Sequence, residues 1–192
     1  MEITKKDIFL VAGIFTATII LIKFLVGNKD WFAVDSKWSK DTQTKNIVSK
    51  LHPKFKNKIA EFFTKMEQEL GLTAYATSGY RTFERQQELH NLNPNNARAG
   101  YSHHNYGFAI DINVKDKNGK IFLLKNTPDT NWIKSGVVQL AKDIGLKWGG
   151  GGAFGNYRDP VHFYINPSNL TTTDLRKKYL AGKVDSKGYV LV

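Results

Sequence analysis

Two short segments in which apolar and polar residues alternate place the strongest constraint on the fold. In residues 107–114, one face of a strand receives the apolar side chains of Phe108, Ile110 and Ile112, and the opposite face receives Asp111. In residues 161–165 the same alternation buries Phe163 and leaves His162 on the other face. The sequence therefore predicts two strands that carry Asp111 and His162 on the polar side of one small sheet.

The residues around these strands have the spacing of a metal site. Ser102, His104, Gly107, Ala109 and Asp111 form the pattern S-x-H-x-x-G-x-A-x-D, and Asp159-x-x-His162 follows about fifty residues later. Two imidazoles and one carboxylate are a ligand set of catalytic zinc, which keeps a fourth position open for water. His104, on the loop that enters the first strand, can close over the other two ligands. Asp159 is left over and is available as a base.

The remaining histidines are weighed against this pattern, because a lone histidine is more often a surface or core residue than a ligand. The spacing to Gly107 and Asp111 favours His104 over its neighbour His103 as the ligand, with His103 as a flanking group. His52 and His90 have no acidic partner in a comparable motif. We expect both of them to be structural.

The N-terminus carries a long apolar segment. Residues 8–26 contain 19 residues interrupted only by Lys23, and at about 1.5 Å per residue a helix of this length covers roughly 28 Å, close to the hydrocarbon thickness of a bilayer. This predicts a membrane anchor in residues 1–27. Lysines on both sides of the segment leave its orientation open, and we expect the rest of the chain to lie outside the cytoplasm. A cleaved signal peptide and a buried core helix are the alternatives, although no small-x-small cleavage site is evident.

The rest of the chain divides into three parts. Residues 28–45 are mostly polar and predict a stalk, residues 46–166 a single catalytic domain, and residues 167–192 a C-terminal helix and tail. Within the domain, helical periodicity predicts a helix that starts at Pro53 and ends at Gly71, another from Phe83 to about Leu92, and a third over residues 129–144. The tail is expected to form an edge strand or to contact a partner.

Four segments together resemble a known family, the zinc D-alanyl-D-alanine carboxypeptidases of the VanY type and the related phage L-alanyl-D-glutamate endopeptidases, which cut the stem peptide of peptidoglycan. The segments are Ser78-Gly79-Tyr80-Arg81, residues 102–111, residues 145–150 and Asp159-Pro160-Val161-His162-Phe163. The resemblance covers roughly residues 45–166. It implies an α+β fold with a small central antiparallel sheet and surrounding helices. The predicted transmembrane helix would precede this domain in the chain.

The resemblance also implies roles for individual residues. One zinc ion would be held by His104, Asp111 and His162, while Asp159 would be the general base that takes a proton from the attacking water. Arg81 would polarise the scissile carbonyl. Ser102 would orient a ligand, and the remaining residues expected to surround the metal or the substrate are His103, Tyr106 and Trp148.

The chain departs from the family between Trp148 and Asp159. Relatives of the endopeptidase branch follow Trp-Gly-Gly with an acidic and then an aromatic residue, whereas here Gly151-Gly152-Ala153-Phe154-Gly155 follows. Five glycines in this loop predict mobility, and the departure bears on substrate specificity rather than on zinc binding.

Three functions from different classes are compatible with these features. The first is a membrane-anchored peptidoglycan peptidase, in which an L-Ala-D-Glu endopeptidase is favoured over a D-Ala-D-Ala carboxypeptidase because residues 102–107 and 148–150 look more like that branch. The second is a zinc-containing wall-binding module without turnover, and the third is a nucleic-acid or wall-polymer binder without a metal. Asp159 and Arg81 favour the peptidase, because a module that only binds needs no base.

Composition narrows these choices further. The chain has no cysteine, so any metal must be held by histidine and carboxylate. Its net charge of +11 favours an anionic polymer as the partner. We expect the bacterial cell wall to be that polymer, because the sequence contains no nucleic-acid recognition motif. The sequence decides neither a bacterial or phage origin nor the oligomeric state.

Overall fold

The structure is a computed structural model that describes residues 35–192. In chain order the elements are α1 (Lys37–Lys40), α2 (Thr42–Ser49), α3 (Pro53–Leu70), β1 (Thr73–Ser78), α4 (Phe83–Leu92), a 3-10 helix (His103–Tyr106), β2 (Ala109–Lys115), β3 (Ile121–Leu123), α5 (Asp129–Lys134), α6 (Val137–Asp143), β4 (Lys147–Trp148), β5 (His162–Tyr164), a second 3-10 helix (Pro167–Asn169) and α7 (Thr172–Leu180). The predicted membrane helix, residues 8–26, lies outside the described residues. Within residues 35–192, no helix is both long enough and apolar enough to span a bilayer.

The strands form one antiparallel sheet of five strands in the order β1-β2-β5-β4, with β3 paired to β2. The predicted α+β class with a small antiparallel sheet is confirmed. In the pairing of β2 with β5, Asp111 lies directly opposite His162. The sheet itself therefore places two of the predicted ligands side by side.

The long helix α3 supports one face of the sheet, as its sequence predicts. Pro53 occupies its first turn, and Gly71 ends it with a φ of 65°. The buried side chains of α3 recur at helical spacing, and they include Phe55, Ile59, Phe62, Phe63 and Met66. Together they form a layer of the core that contacts β1 and, through Phe62, the Phe163 ring of β5.

The register of β5 is fixed by this core. Phe163 is fully buried, with its ring centroid 5.3 Å from that of Phe62 and 6.0 Å from that of Trp132. A slip of one residue would move every side chain of a strand to the opposite face. Since burying a phenylalanine is worth about 1.5–3 kcal/mol, the packing of Phe163 holds its neighbour His162 on the site face.

The expected stalk requires a correction for the part that the structure describes. Residues 37–40 and 42–49 are helical, and Trp38 is fully buried, with its Nε1–H donating to Thr64 Oγ1 at 3.1 Å. Asp41 caps α2 by accepting from the backbone N–H of Thr44. The polar residues of this segment form two short helices and their caps around one anchoring tryptophan, so residues 35–45 belong to the folded domain.

The single helix expected over residues 129–144 is also wrong in detail. It is divided into α5 and α6 at Gly136, which has a φ of 83° that no helical residue adopts. Ser135 contributes to the break by donating its hydroxyl to the carbonyl of Trp132 at 2.7 Å. Helical periodicity continues across the break, which is why the sequence pattern did not show it.

The C-terminal tail folds back onto its own domain. Val184 pairs with Val190 in an isolated bridge, and Val190 is buried. Nε2 of His52 lies 3.1 Å from the carbonyl oxygen of Val190, and the His52 ring packs 4.2 Å from that of Phe108. His52 therefore joins the tail to Phe108, the residue before β2, in agreement with its expected structural role.

The Gly107→Ala variant is expected to destabilise the domain much more than Gly119→Ala. Both glycines have positive φ, 70° and 79°, which costs an alanine about 1–2 kcal/mol. A Cβ at Gly107 would also lie 2.6 Å from the backbone nitrogen of His52, whereas nothing lies within 4 Å at Gly119. We expect this overpacking to add about 1–3 kcal/mol. Urea unfolding of both variants measures the difference, and equal losses would contradict this account.

Candidate active site

Three predicted ligands meet at one point above the sheet. His104 comes from the 3-10 helix, Asp111 from β2 and His162 from β5, and one ligand atom of each lies within 4.8 Å of the others. Asp111 Oδ1 is 3.2 Å from His104 Nε2 and 2.9 Å from His162 Nδ1, while the two imidazole nitrogens are 3.2 Å apart. All three residues are buried.

The hydrogen bond on the far side of His104 determines its tautomer. Nδ1 of His104 donates to the carbonyl oxygen of Gly79 at 2.6 Å, since a carbonyl can only accept. In the neutral ring, Nε2 then carries a lone pair, and this lone pair faces the carboxylate of Asp111. A second hydrogen bond that orients a histidine in this way is the usual companion of metal ligation.

The protonation states also suit a cation. Burial lowers the pKa of His104 to about 4, although Asp111 acts in the opposite direction. Burial raises the pKa of Asp111, but its interactions with His104 and His162 outweigh burial, so that this pKa lies well below its usual range. At neutral pH the cluster therefore offers a neutral imidazole and an ionised carboxylate, the forms that bind a metal.

These residues fit a zinc ion. Two nitrogen donors and one carboxylate oxygen satisfy the ligand preferences of zinc and leave a fourth position for water or substrate. A lone pair of His104 that faces an ionised carboxylate across 3.2 Å is electrostatically unfavourable unless a positive charge lies between them. The donor set itself therefore indicates a cation site.

Asp159 lies next to this cluster, at the end of the loop that leads into β5. Its backbone N–H donates to Gly149, and its carbonyl accepts from the N–H of His162 at 3.1 Å. Among the described residues, Oδ1 of Asp159 is buried and has no hydrogen-bond partner, with Lys125 Nζ at 3.7 Å. Burial and the nearby charge of Asp111 raise the pKa of Asp159. A carboxylate oxygen that accepts no hydrogen bond and lies beside a metal site is suited to accept a proton.

Arg81 lies on the loop after β1 and is held through its side chain. Nη2 pairs with Asp111 Oδ2 at 2.5 Å, and Nε donates to Ser78 Oγ at 2.9 Å. Nη1 reaches Gln86 Oε1 at 3.4 Å. In this arrangement Arg81 orients Asp111, so that Oδ1 faces the two histidines, while its guanidinium borders the cleft.

The other predicted site residues occupy different surroundings. Ser102 caps the 3-10 helix by accepting from the N–H of His104 and also lines the cleft. His103 lines the cleft without belonging to the ligand cluster. Its Nε2 lies 2.8 Å from Asn166 Oδ1, and burial lowers its pKa to about 4. The polar atoms of Tyr106 and Trp148 donate to the backbone carbonyls of Gly100 and Pro160 at 2.8 Å each.

A cleft of about 390 Å³ opens over the cluster. Its walls include site residues that the sequence analysis missed, among them Gln86, Asn96, Phe154 and Tyr157. Gln86 is almost fully buried on an otherwise polar helix, and its side chain donates to the carbonyl of Ala97 at 2.7 Å. Helical periodicity gives no signal for such a residue, because α4 has no continuous apolar stripe.

The glycine-rich loop forms one wall of the cleft. A Cβ at Gly150 would lie 2.3 Å from the Trp148 ring, and one at Gly149 would lie 2.6 Å from the carbonyl oxygen of Asp159. Glycine is therefore needed where this loop crosses the tryptophan and the base. Farther along, Phe154 pairs with Tyr157 in a single bridge, and the Phe154 ring packs 5.6 Å from that of His162.

Comparison with known proteins identifies relatives of this arrangement. A peptidase M15 family model, described as D-alanyl-D-alanine carboxypeptidase, matches residues 95–165. The peptidoglycan L-alanyl-D-glutamate endopeptidase CwlK of Bacillus subtilis (strain 168) is 30% identical over 134 residues, which cover 64% of this chain and 77% of CwlK.

Two solved structures are similar at lower identity. The L-Ala D-Glu endopeptidase ChiX of Serratia marcescens has 17% identity and a TM-score of 0.49, with coverage of 67% of this chain and 90% of ChiX. The vancomycin resistance D,D-pentapeptidase VanY, in complex with Zn(II), has 17% identity and a TM-score of 0.47, with coverage of 66% and 78%. Because both TM-scores are below 0.5, the assignment of this chain depends on the sequence matches.

Proposed function

Because this chain belongs to the peptidase M15 family, we propose that it is a zinc-dependent peptidase that hydrolyses the stem peptide of peptidoglycan. The substrate class is supported by the relative CwlK, which acts on peptidoglycan. It is also supported by the net charge of +11, because a strongly basic protein is attracted to an anionic polymer.

One observation carries the proposal. His104 and His162 of the ligand cluster line a cleft that Asp159 also lines, and Oδ1 of Asp159 has no hydrogen-bond partner within residues 35–192. A module that only binds a metal or a polymer has no use for a buried base with a raised pKa beside the metal. Hydrolysis requires such a base.

The residues divide the chemistry among them. His104, Asp111 and His162 would hold the zinc ion, which when bound lowers the pKa of water to about 7 and polarises a carbonyl. Asp159 would accept the proton of the attacking water and return it to the leaving nitrogen as the peptide bond breaks. Arg81 keeps Asp111 in position through its ion pair, and its guanidinium borders the cleft where negative charge develops on the carbonyl oxygen.

We further propose that the bond cut is the one between L-alanine and D-glutamate, as in CwlK. Incubation of purified sacculi with the full-length protein, followed by mass spectrometry of the released fragments, tests this preference. A new N-terminal D-glutamate is the expected product. Loss of a terminal D-alanine would instead establish a carboxypeptidase, and the absence of any new peptide end would contradict peptidase function on this substrate.

The proposed site of action is outside the cytoplasm. Residues 1–27 would anchor the chain in the membrane, on the basis of the apolar segment 8–26. Full-length protein should then resist alkaline extraction from membranes. Recovery in the soluble fraction of a chain that lacks residues 1–26 would show a cleaved signal peptide instead.

A further inference from the structure

We infer that Lys125 binds a free carboxylate on the substrate residue whose amino group is released, and that the enzyme thereby selects substrates that carry this carboxylate. The inference rests on the proposed function, because it assigns a specificity residue to the same reaction. Lys125 lies between β3 and α5, outside every motif that the sequence analysis identified.

Lys125 is close to the reacting groups. Its Nζ lies 3.7 Å from Oδ1 of Asp159 and 3.3 Å from the hydroxyl of Tyr157, and both of these partners line the cleft. The Tyr157 hydroxyl in turn approaches Asn96 Oδ1 at 3.4 Å, so that the wall beside the base is polar. The side chain of Lys125 is 57% exposed, and a ligand can therefore reach its ammonium group.

The ammonium group of Lys125 lies farther from its carboxylate partner than the guanidinium group of Arg81 does, and it has donors left for a ligand. Arg81 contacts Asp111 at 2.5 Å and also uses N–H groups on Ser78 and Gln86. By contrast, the contact of Lys125 with Asp159 is longer than a hydrogen bond, and an ammonium group has three donors. Burial lowers the pKa of Lys125, but Asp159 and Tyr157 outweigh burial and raise it, so the group stays cationic.

The backbone around Lys125 is held in place by Arg158, the residue next to the proposed base. Its carbonyl accepts from Nη1 of Arg158 at 3.0 Å, and Arg158 also donates to the carbonyl of Thr127 and pairs with Asp129 Oδ1 at 2.6 Å. Arg158 directly precedes Asp159 in the chain. The lysine and the base are therefore linked through Arg158, which lowers the entropic cost of binding a substrate that contacts both.

The substrate supplies a matching anion. A terminal D-alanine carries its α-carboxylate next to the nitrogen that hydrolysis releases. The D-glutamate of a stem peptide is joined to the next residue through its γ-carboxyl group, so its α-carboxylate is also free and adjacent to the released nitrogen. Asp159 must approach this nitrogen in order to protonate it, and a cation beside Asp159 therefore meets the carboxylate in either case.

Paired peptides test the inference. Each pair differs only in whether the α-carboxyl group of the leaving residue is free or amidated, and the bond identified in sacculi decides which residue is modified. The measured quantity is the ratio of kcat/KM for the free acid to kcat/KM for the amide. We expect full-length wild-type protein to favour the free acid, and Lys125→Met to lower this ratio about 10- to 100-fold, mainly through KM, as for the loss of a hydrogen bond to a charged group.

Two further variants sharpen the comparison. Lys125→Arg should retain most of the ratio, because it keeps the charge. Lys120→Met replaces an exposed lysine on the turn between β2 and β3 and should leave the ratio unchanged. If Lys125 acted only through Asp159, its loss would lower kcat/KM equally for the free acid and for the amide. An unchanged ratio in Lys125→Met would therefore overturn the inference while the proposed function stands. A wild-type enzyme that cleaves neither peptide would refute the proposed function, and the inference with it.

Discussion

The Asp159→Asn variant is expected to lose about 10²- to 10⁴-fold in kcat while it keeps its metal ion, because a general base typically contributes this much. Asparagine has nearly the same shape as aspartate but cannot accept the proton of the attacking water. The buried Oδ1 of Asp159 makes no hydrogen bond within residues 35–192, so at that atom the substitution removes a base and weakens only the 3.7 Å ion pair with Lys125.

Zinc content and thermal stability distinguish this effect from loss of the site. Asp159→Asn should bind as much zinc as the wild type, since the three proposed ligands are unchanged. Asp143→Asn, an exposed aspartate on α6, is the matched control and should retain wild-type kcat. Wild-type kcat in Asp159→Asn would exclude Asp159 as the base.

Replacement of His104 by alanine is expected to remove both zinc and activity, whereas replacement of the adjacent His103 should leave zinc content unchanged. Nε2 of His104 is one of the three converging ligand atoms, and its Nδ1–H is held by the carbonyl of Gly79. His103 instead contacts Asn166 and packs with its ring centroid 4.6 Å from that of Tyr164. Only His104→Ala leaves a site with two ligands.

Metal analysis after dialysis measures this difference directly. The expected values are about one zinc per chain for wild type and His103→Ala, and close to none for His104→Ala. The substitution removes a buried side chain and a metal ligand, and either loss can affect folding. Circular dichroism must therefore show that His104→Ala is folded. A folded His104→Ala variant with full zinc content would contradict the ligand assignment.

The sequence predicts the central part of this site because strand periodicity and motif spacing are local signals. Alternation in residues 107–114 and 161–165 places Asp111 and His162 on one face, and the register of β2 and β5 makes them direct neighbours. Spacing also separates His104, which lies in the cluster, from His103, which lines the cleft outside the cluster. In each case the information lies within about ten residues of the ligand.

Arg81 was predicted from the family resemblance, but its contact with Asp111 and the rest of the cleft wall could not be predicted, because they depend on contacts between distant segments. Arg81 meets Asp111 across 30 positions of the chain, and Lys125 meets Tyr157 across 32. Neither contact leaves a periodic pattern in the sequence. The burial of Trp38 against α3 was missed for the same reason, since a single apolar residue among polar ones resembles a linker until its partner is known.

Titration of metal-free protein with zinc tests the central claim most directly. Full-length protein is stripped with a chelator, zinc is added in steps, and the release of new amino groups from purified sacculi is measured at each step. We predict no release without zinc, and a rise that levels off at about one zinc per chain. Full activity in the stripped protein, with no response to added zinc, would contradict the assignment of His104, Asp111 and His162 as a catalytic zinc site.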